Sequence, residues 1–134
     1  MDIHKFDGGE VSLIQHNVLL IEYNIGQLIT SKNLKELKQI RERLLGNQKY
    51  HSITDVREGF INLSDDAKAY IAEENESSKV RLSDAVVVNS LAKKIEVELY
   101  IRFHKPVVKT KVFTDLNKAL CWIESLEVEK LEMV

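Results

Sequence analysis

The sequence has a single cysteine among its 134 residues, which is too few for an internal disulfide. Such cysteine usage is typical of a reducing compartment. No apolar run approaches the roughly 18–20 residues that span a bilayer, and the first ten residues lack the apolar core of a signal peptide. We therefore expect a cytoplasmic protein without a membrane span.

The sequence also lacks a basic block. It has 19 lysines and arginines against 21 aspartates and glutamates, which gives a formal net charge of −2. Proteins that bind nucleic acid use clustered positive charge to neutralise phosphates. The charge pattern therefore argues against a nucleic-acid partner.

Sequence motifs for cofactors, metals and catalysis are missing as well. There is no Gly-rich phosphate loop, GxSxG elbow or HExxH helix, and Cys121 has no histidine near it in sequence. Asp55 or Glu58 could serve in acid-base chemistry, but their spacing in the sequence does not indicate a catalytic pair. The histidines lie in four different elements without the spacing of metal ligands: His4, His16, His51 and His104. We expect no cofactor, no metal and no enzymatic activity.

The composition that is present, with 44% apolar and 30% charged residues, is that of an ordinary globular protein. The length fits one domain over residues 1–134. Residues 1–9 and 127–134 are candidates for frayed ends, and the alternative for 127–134 is a continuation of the last helix. Neither an internal repeat nor a low-complexity segment is visible.

Strand and helix patterns alternate after an opening hairpin. Glu10–Asn24 contains two β-rich runs separated by His16-Asn17, and the second run is apolar without alternation, which predicts a central strand. Further strands are predicted at 50–56, 82–88 and 111–113, and helices at 34–45, from 64 onward, at 91–104 and from 114 or 115 to 126. This pattern predicts an α/β fold with a mainly parallel sheet of about five strands, one antiparallel edge strand and about four helices.

Four short motifs in this order resemble one family. DVRE at Asp55–Glu58, AVVVNS at Ala85–Ser90, FHKP at Phe103–Pro106 and TKVFTD with ALCWI in Thr110–Ile123 look like the small stand-alone STAS/SEC14-type (SpoIIAA-like) proteins of the Bacteroidetes. The resemblance covers nearly the whole chain. It implies a SpoIIAA-like fold and a regulatory protein-interaction module.

The same resemblance draws attention to Ser64. In anti-sigma factor antagonists of this type, a serine at the corresponding helix start is phosphorylated by a partner kinase. Ser64 is the residue that matches it by position, but Asp65 and Asp66 follow directly and would repel a phosphate. A helix N-cap is the competing interpretation of Ser64.

Asp55, Arg57 and Glu58 form the candidate surface for a partner or polar ligand. They stand at the carboxyl end of a predicted central strand, where open α/β sheets usually place ligands. The competing interpretation is an ion pair that anchors the loop at the end of the strand.

The predicted helix at 91–104 carries two apolar stripes, although a surface helix needs only one. Ala92, Ile95, Leu99 and Phe103 share one arc, and Val97, Tyr100 and Ile101 share another. One stripe must be covered by another element, a second copy of the chain, a partner or an apolar ligand. We predict Val97, Tyr100 and Ile101 as a self-association face.

These observations favour a non-catalytic regulatory or protein-interaction module that forms a homodimer. The alternative is a carrier of a small apolar ligand or lipid, which requires an enclosed apolar cavity of at least about 300 Å³ beside the helix at 91–104. A serine-phosphorylated switch at Ser64 is the second alternative.

Overall fold

The computed structural model describes residues 2–132, which contain eight strands and four helices. In chain order these elements are β1 (Ile3–Phe6), β2 (Gly9–Gln15), β3 (Val18–Tyr23), β4 (Leu28–Ile29), α1 (Ser31–Leu45), β5 (Tyr50–Asp55), β6 (Asn62–Leu63), α2 (Asp65–Ser77), β7 (Arg81–Val87), α3 (Leu91–His104), β8 (Lys109–Phe113) and α4 (Leu116–Glu132).

Six of the strands form one sheet in the order β1-β2-β3-β5-β7-β8, and β4 pairs with β6 separately. The last four strands of the large sheet are parallel, and β2 runs antiparallel to both of its neighbours. The predicted α/β class, mainly parallel sheet, N-terminal hairpin and four helices are therefore confirmed.

The number of strands is higher than the predicted five. The structure adds β1, β4 and β6, which have four, two and two residues. Such short segments carry too few residues to show a hydrophobic period. Because β1 pairs outside β2, the antiparallel strand lies inside the sheet and not at its edge as predicted.

Both ends of the described range belong to regular elements. Ile3–Phe6 pairs with β2, and α4 continues past Leu126 to Glu132. Over the described part of the tail, the structure takes the helical one of the two predicted alternatives. Residues 1, 133 and 134 lie outside the described residues.

The strand order determines where the helices lie. Each connection among β3, β5, β7 and β8 crosses to the next strand in the same direction across the sheet. Parallel crossovers are right-handed, so this order puts α1, α2 and α3 on the same face. The last helix, α4, follows the final strand and covers the opposite face, where Ala119 and Ile123 pack against Val18, Ile53 and Ala85.

The helix α1 is the member of its layer that packs closely on the sheet. Its Ile40 and Leu45 are buried with Leu19 and Ile21 of β3. Its start is fixed by a capping box, in which the Thr30 hydroxyl accepts from the backbone N–H of Asn33 and the Asn33 side chain accepts from the N–H of Thr30.

Candidate functional site

The loop after β5 begins with an ion pair between Asp55 and Arg57. The Arg57 Nε and Nη2 atoms donate to the two carboxylate oxygens of Asp55 at 3.0 and 2.8 Å. Asn89 Nδ2 donates to the backbone oxygen of Arg57 at 2.9 Å and ties this loop to the end of β7. Burial alone would raise the pKa of the Asp55 carboxyl, but the bonds and charge of Arg57 outweigh burial and lower it.

Asp55 and Arg57 line an acidic surface pocket of about 540 Å³ together with Glu22, Tyr23 and Ile25. Glu58 lies on this pocket and is exposed. Burial, followed by the charge of Asp55, raises the pKa of Glu22. The pocket is lined by three carboxylates, those of Glu22, Asp55 and Glu58, and by one guanidinium. It therefore suits a cationic group better than an anion.

Ser64 is the N-cap of α2. Its hydroxyl accepts from the N–H of Ala67 at 3.1 Å and donates to the carboxylate of Asp66, which also accepts from Ser31. The hydrogen bonds of Ser31 and then Ser64 lower the pKa of Asp66 to about 2. A phosphate on Ser64 would therefore have to displace these bonds beside two carboxylates; phosphorylation itself stays a prediction.

A cavity of about 700 Å³ lies between the large sheet and the layer of α1, α2 and α3. Its walls are mainly apolar. Among its lining side chains are Ile21, Leu37, Tyr70, Ile71, Val97 and Ile101. The volume lies within the range of about 300–1,000 Å³ that is usual for small-molecule sites.

The cavity exists because the middle of this sheet face carries short polar side chains. Ser52 and Thr54 of β5 and Asp84 of β7 stand where a strand buried under helices usually carries valine or isoleucine. The helices above do not fill the space: in α2 the one buried residue is Ala67, and among residues 91–104 of α3 none is buried.

The floor of the cavity holds a polar cluster around Asp84. Its Oδ1 atom accepts from the hydroxyls of Ser52 and Thr54 at 3.0 and 2.9 Å and lies 3.1 Å from Nη2 of Arg81. Arg81 Nε also donates to the Ser52 hydroxyl at 2.7 Å. Tyr23 lines the cavity with this cluster, and burial raises the pKa of its phenol to about 12, so the hydroxyl keeps its proton.

The two stripes of α3 have different surroundings. Val97, Tyr100 and Ile101, the predicted self-association face, line the cavity of their own chain. Val97 and Ile101 are half-buried, whereas Tyr100 is exposed and stacks on His104. The opposite stripe, which was predicted to contain Ala92 and which in the structure also includes Leu91, points outward. The exposed fractions are 67% for Leu91, 51% for Ile95, 47% for Leu99 and 80% for Phe103. A role of the cavity-side residues in self-association stays a prediction.

A second polar cluster lies on the other face of the sheet, under α4. Glu127 Oε1 accepts from His51 Nε2 at 2.6 Å and from Asn17 Nδ2 at 3.1 Å, and the Ser83 hydroxyl is 2.7 Å from His51 Nδ1. A serine, histidine and glutamate in this order resemble a nucleophile with its base. Ser83 has no exposed surface, however, so its hydroxyl cannot meet a substrate and the cluster joins β5, β7 and α4.

Sequence reasoning missed both polar clusters. A usable signal for the first was present, since Ser52, Thr54 and Asp84 sit at alternating positions of strands predicted to be buried. Polar side chains at such positions indicate a shared polar patch on one face. The second had no local signal, because Glu127 lies 76 residues from His51.

Residues 2–132 contain neither a cluster of metal-binding side chains nor a membrane-spanning helix. No group of three or more histidine, cysteine, aspartate or glutamate side chains in this range is arranged to hold a metal ion. Within the same range, no helix has the length and apolar character to cross a membrane.

Comparison with known proteins supports the fold and leaves the activity open. A family model described as "Domain of unknown function (DUF7793)" matches residues 12–127. A crystal structure from Shewanella loihica PV-4, described as an uncharacterized protein of the DUF3478 family with a SpoIIAA-like fold, matches with a TM-score of 0.58 and 17% identity over 90% of each chain. No curated protein matches. The predicted SpoIIAA-like fold is thus confirmed.

Proposed function

The chain belongs to the DUF7793 family, a domain of unknown function, and we propose that it is a non-catalytic module that binds a small apolar molecule under α3. The cavity of about 700 Å³ carries this proposal. It lies beside the helix at 91–104, where a ligand carrier was expected to need an enclosed cavity, and it is partly open to solvent. The single exposed cysteine, Cys121, suits a reducing compartment, and we propose the cytoplasm as its location.

An apolar occupant explains why α3 has a stripe of apolar side chains that its own chain does not bury. Val97 and Ile101 reach the sheet side of the helix, yet no side chain of residues 91–104 is buried. A ligand between these residues and Val86 would remove their apolar surface from water, which contributes roughly 25 cal/mol per Å².

Nile red, an uncharged apolar fluorophore, tests this proposal by titration. Val97→Trp adds bulk inside the cavity, and Val128→Trp makes the same change at a position that is 52% exposed. We expect wild type and Val128→Trp to bind the dye alike and Val97→Trp to bind it about tenfold more weakly or worse. Equal binding by all three proteins, with equal thermal stability, would show that the dye does not occupy the cavity. Absence of dye binding by the wild type would reject the proposal.

The second candidate function is protein interaction through self-association, favoured by the exposed outer stripe of α3. Its four apolar residues are spaced four apart, so an antiparallel copy would pair Leu91 with Phe103 and Ile95 with Leu99 about a two-fold axis. Lys94 and Glu98 lie along one edge of the stripe, and in that arrangement each lysine would face the glutamate of the other copy.

Light scattering at micromolar concentration distinguishes the two faces of α3. Leu99→Glu places a charge on the outer stripe, and Tyr100→Glu places one on the cavity side. We expect a dimer for wild type and Tyr100→Glu and a monomer for Leu99→Glu. The opposite result would assign the dimer to Val97, Tyr100 and Ile101, and a monomeric wild type would remove the candidate.

A further inference from the structure

Asp84 and Arg81 form an ion pair at the floor of the cavity, and some of their hydrogen-bonding positions have no protein partner among residues 2–132. Asp84 Oδ1 takes the bonds of Ser52, Thr54 and Arg81, whereas no hydrogen bond from residues 2–132 reaches Asp84 Oδ2. On Arg81, the Nε and Nη2 atoms have partners and Nη1 has none in that range. Asp84 and Arg81, which both line the cavity, therefore each keep one nitrogen or oxygen atom without a protein partner among these residues.

Both side chains are largely removed from bulk solvent. The exposed fractions of the side chains are 18% for Arg81 and 17% for Asp84. Among the described residues, Glu74 Oε1 is the one fully buried side-chain nitrogen or oxygen atom without a hydrogen-bond partner, so solvent in the cavity still reaches Asp84 Oδ2 and Arg81 Nη1. A ligand that displaces this solvent has to replace its hydrogen bonds. The leftover acceptor and donor thus favour a ligand that ends in a polar group.

The charge of the pair limits what that polar group is. The positive charge of Arg81 and the negative charge of Asp84 already balance each other at 3.1 Å. At the floor, an anionic head group would be repelled by Asp84 and a cationic one by Arg81. The other charged side chains that line the cavity lie on its helix side, away from this pair: Lys38, Arg41, Lys68, Glu74 and Lys105. A neutral group that both donates and accepts a hydrogen bond fits both leftover atoms.

We infer that the cavity is specific for amphipathic molecules with an apolar body and a neutral hydroxyl or amide head, which donates to Asp84 Oδ2 and accepts from Arg81. The apolar body lies against Val97, Ile101 and Ile71. This inference rests on the proposed ligand-binding function and adds the chemical class of the ligand.

Three ligands with the same chain and different heads test the inference: 1-dodecanol, dodecanoate and dodecylammonium, each competing with Nile red at neutral pH. For the wild type we expect dodecanol to compete at concentrations about tenfold lower than either ion, because each ion brings an unbalanced charge to the floor.

Two variants change the charge of the floor in opposite directions. Asp84→Asn leaves Arg81 unbalanced, so dodecanoate should gain about tenfold relative to dodecanol. Arg81→Met leaves Asp84 unbalanced, and dodecylammonium should gain instead. Asp2→Asn and Arg43→Met make the same changes at exposed positions and should keep the wild-type order.

The results of these competition experiments distinguish a failure of the inferred head-group specificity from a failure of the proposed ligand binding. If the dodecyl ligands compete but keep one order in the wild type and in both floor variants, the inference is overturned while ligand binding stands. If none of them competes and Nile red does not bind, the proposed function fails and takes the inference with it. Circular dichroism and melting temperature establish that each variant is folded, and Arg81→Met provides the test if Asp84→Asn is not.

Discussion

Glu127→Ala is expected to destabilise the protein strongly, although Glu127 lies near the end of the last helix. The change removes the acceptor of both His51 Nε2 at 2.6 Å and Asn17 Nδ2 at 3.1 Å. The His51 side chain is 3% exposed, so the Nε2–H that loses its acceptor cannot turn to solvent. The buried imidazole is left with Ser83 alone.

The magnitude follows from these two bonds. A hydrogen bond to a charged acceptor contributes about 1.5–3 kcal/mol, and the 35% exposure of the Glu127 side chain places both bonds at the lower end. We therefore expect a loss of about 2–3 kcal/mol in the free energy of unfolding. For a chain of this length, such a loss lowers the melting temperature by about 7–10 °C.

Urea denaturation followed by the fluorescence of the single tryptophan, Trp122, measures this loss. Trp122 lies on α4 beside Phe113, with ring centroids 5.6 Å apart, and reports on the helix in question. Glu124→Ala on the same helix is the matched control and should change the free energy by no more than about 0.5 kcal/mol. Equal stability of Glu127→Ala and Glu124→Ala would refute the reasoning.

The pH dependence supplies an independent check. The hydrogen bond of His51 is the main reason that the pKa of Glu127 lies below its ordinary value of 4.5. A lowered folded pKa stabilises the protein above that ordinary value, and the stabilisation is lost as the pH falls through the folded pKa. The gap between wild type and Glu127→Ala should thus be widest at neutral pH and shrink below pH 4.5. A gap that is constant from pH 7 to pH 3 would contradict this.

Three further changes are predicted. Arg57→Ala removes the bonds that hold the pKa of Asp55 down, so NMR titration should find that pKa raised above its wild-type value, and an unchanged pKa would contradict the pairing. Gly9→Ala would bring a Cβ into a steric clash with the backbone oxygen of Glu22 and should cost about 2–3 kcal/mol in urea denaturation. Gly26→Ala, with no atom within 4 Å, should cost about 1 kcal/mol from its positive φ alone. Ser64→Ala removes the α2 cap and should cost about 1 kcal/mol by the same assay, with Ser64→Asp, which retains an acceptor, nearer to wild type.

Periodic patterns in the sequence were enough to predict the main elements. The bounds of α3 and the turn at His16-Asn17 agree with the structure. These features depend on local preferences of the chain, such as helical spacing, capping and turn formation, which neighbouring residues express directly.

The parts that the sequence did not predict depend on contacts between distant segments. The edge position of β1 and the pairing of β4 with β6 have no hydrophobic period behind them. Both stripes of α3 are apolar, so their composition does not indicate which one faces the sheet. Val97, Tyr100 and Ile101, predicted as a self-association face, line the cavity of their own chain. The candidate residues Asp55, Arg57 and Glu58 line one pocket together. The cavity under α3 has Arg81 and Asp84 at its floor, and neither residue belongs to a recognisable sequence motif.

The absence of buried side chains along residues 91–104 also bears on the motions of the protein. Local opening of a helix costs the contacts that are lost, so α3 should separate from the sheet at a free energy well below that of global unfolding. Its backbone amides should exchange with deuterium faster than those of β5, whose side chains are mostly buried. A molecule could then enter and leave the space beneath the helix while the six-stranded sheet stays intact, and its arrival would be visible as slower exchange in α3.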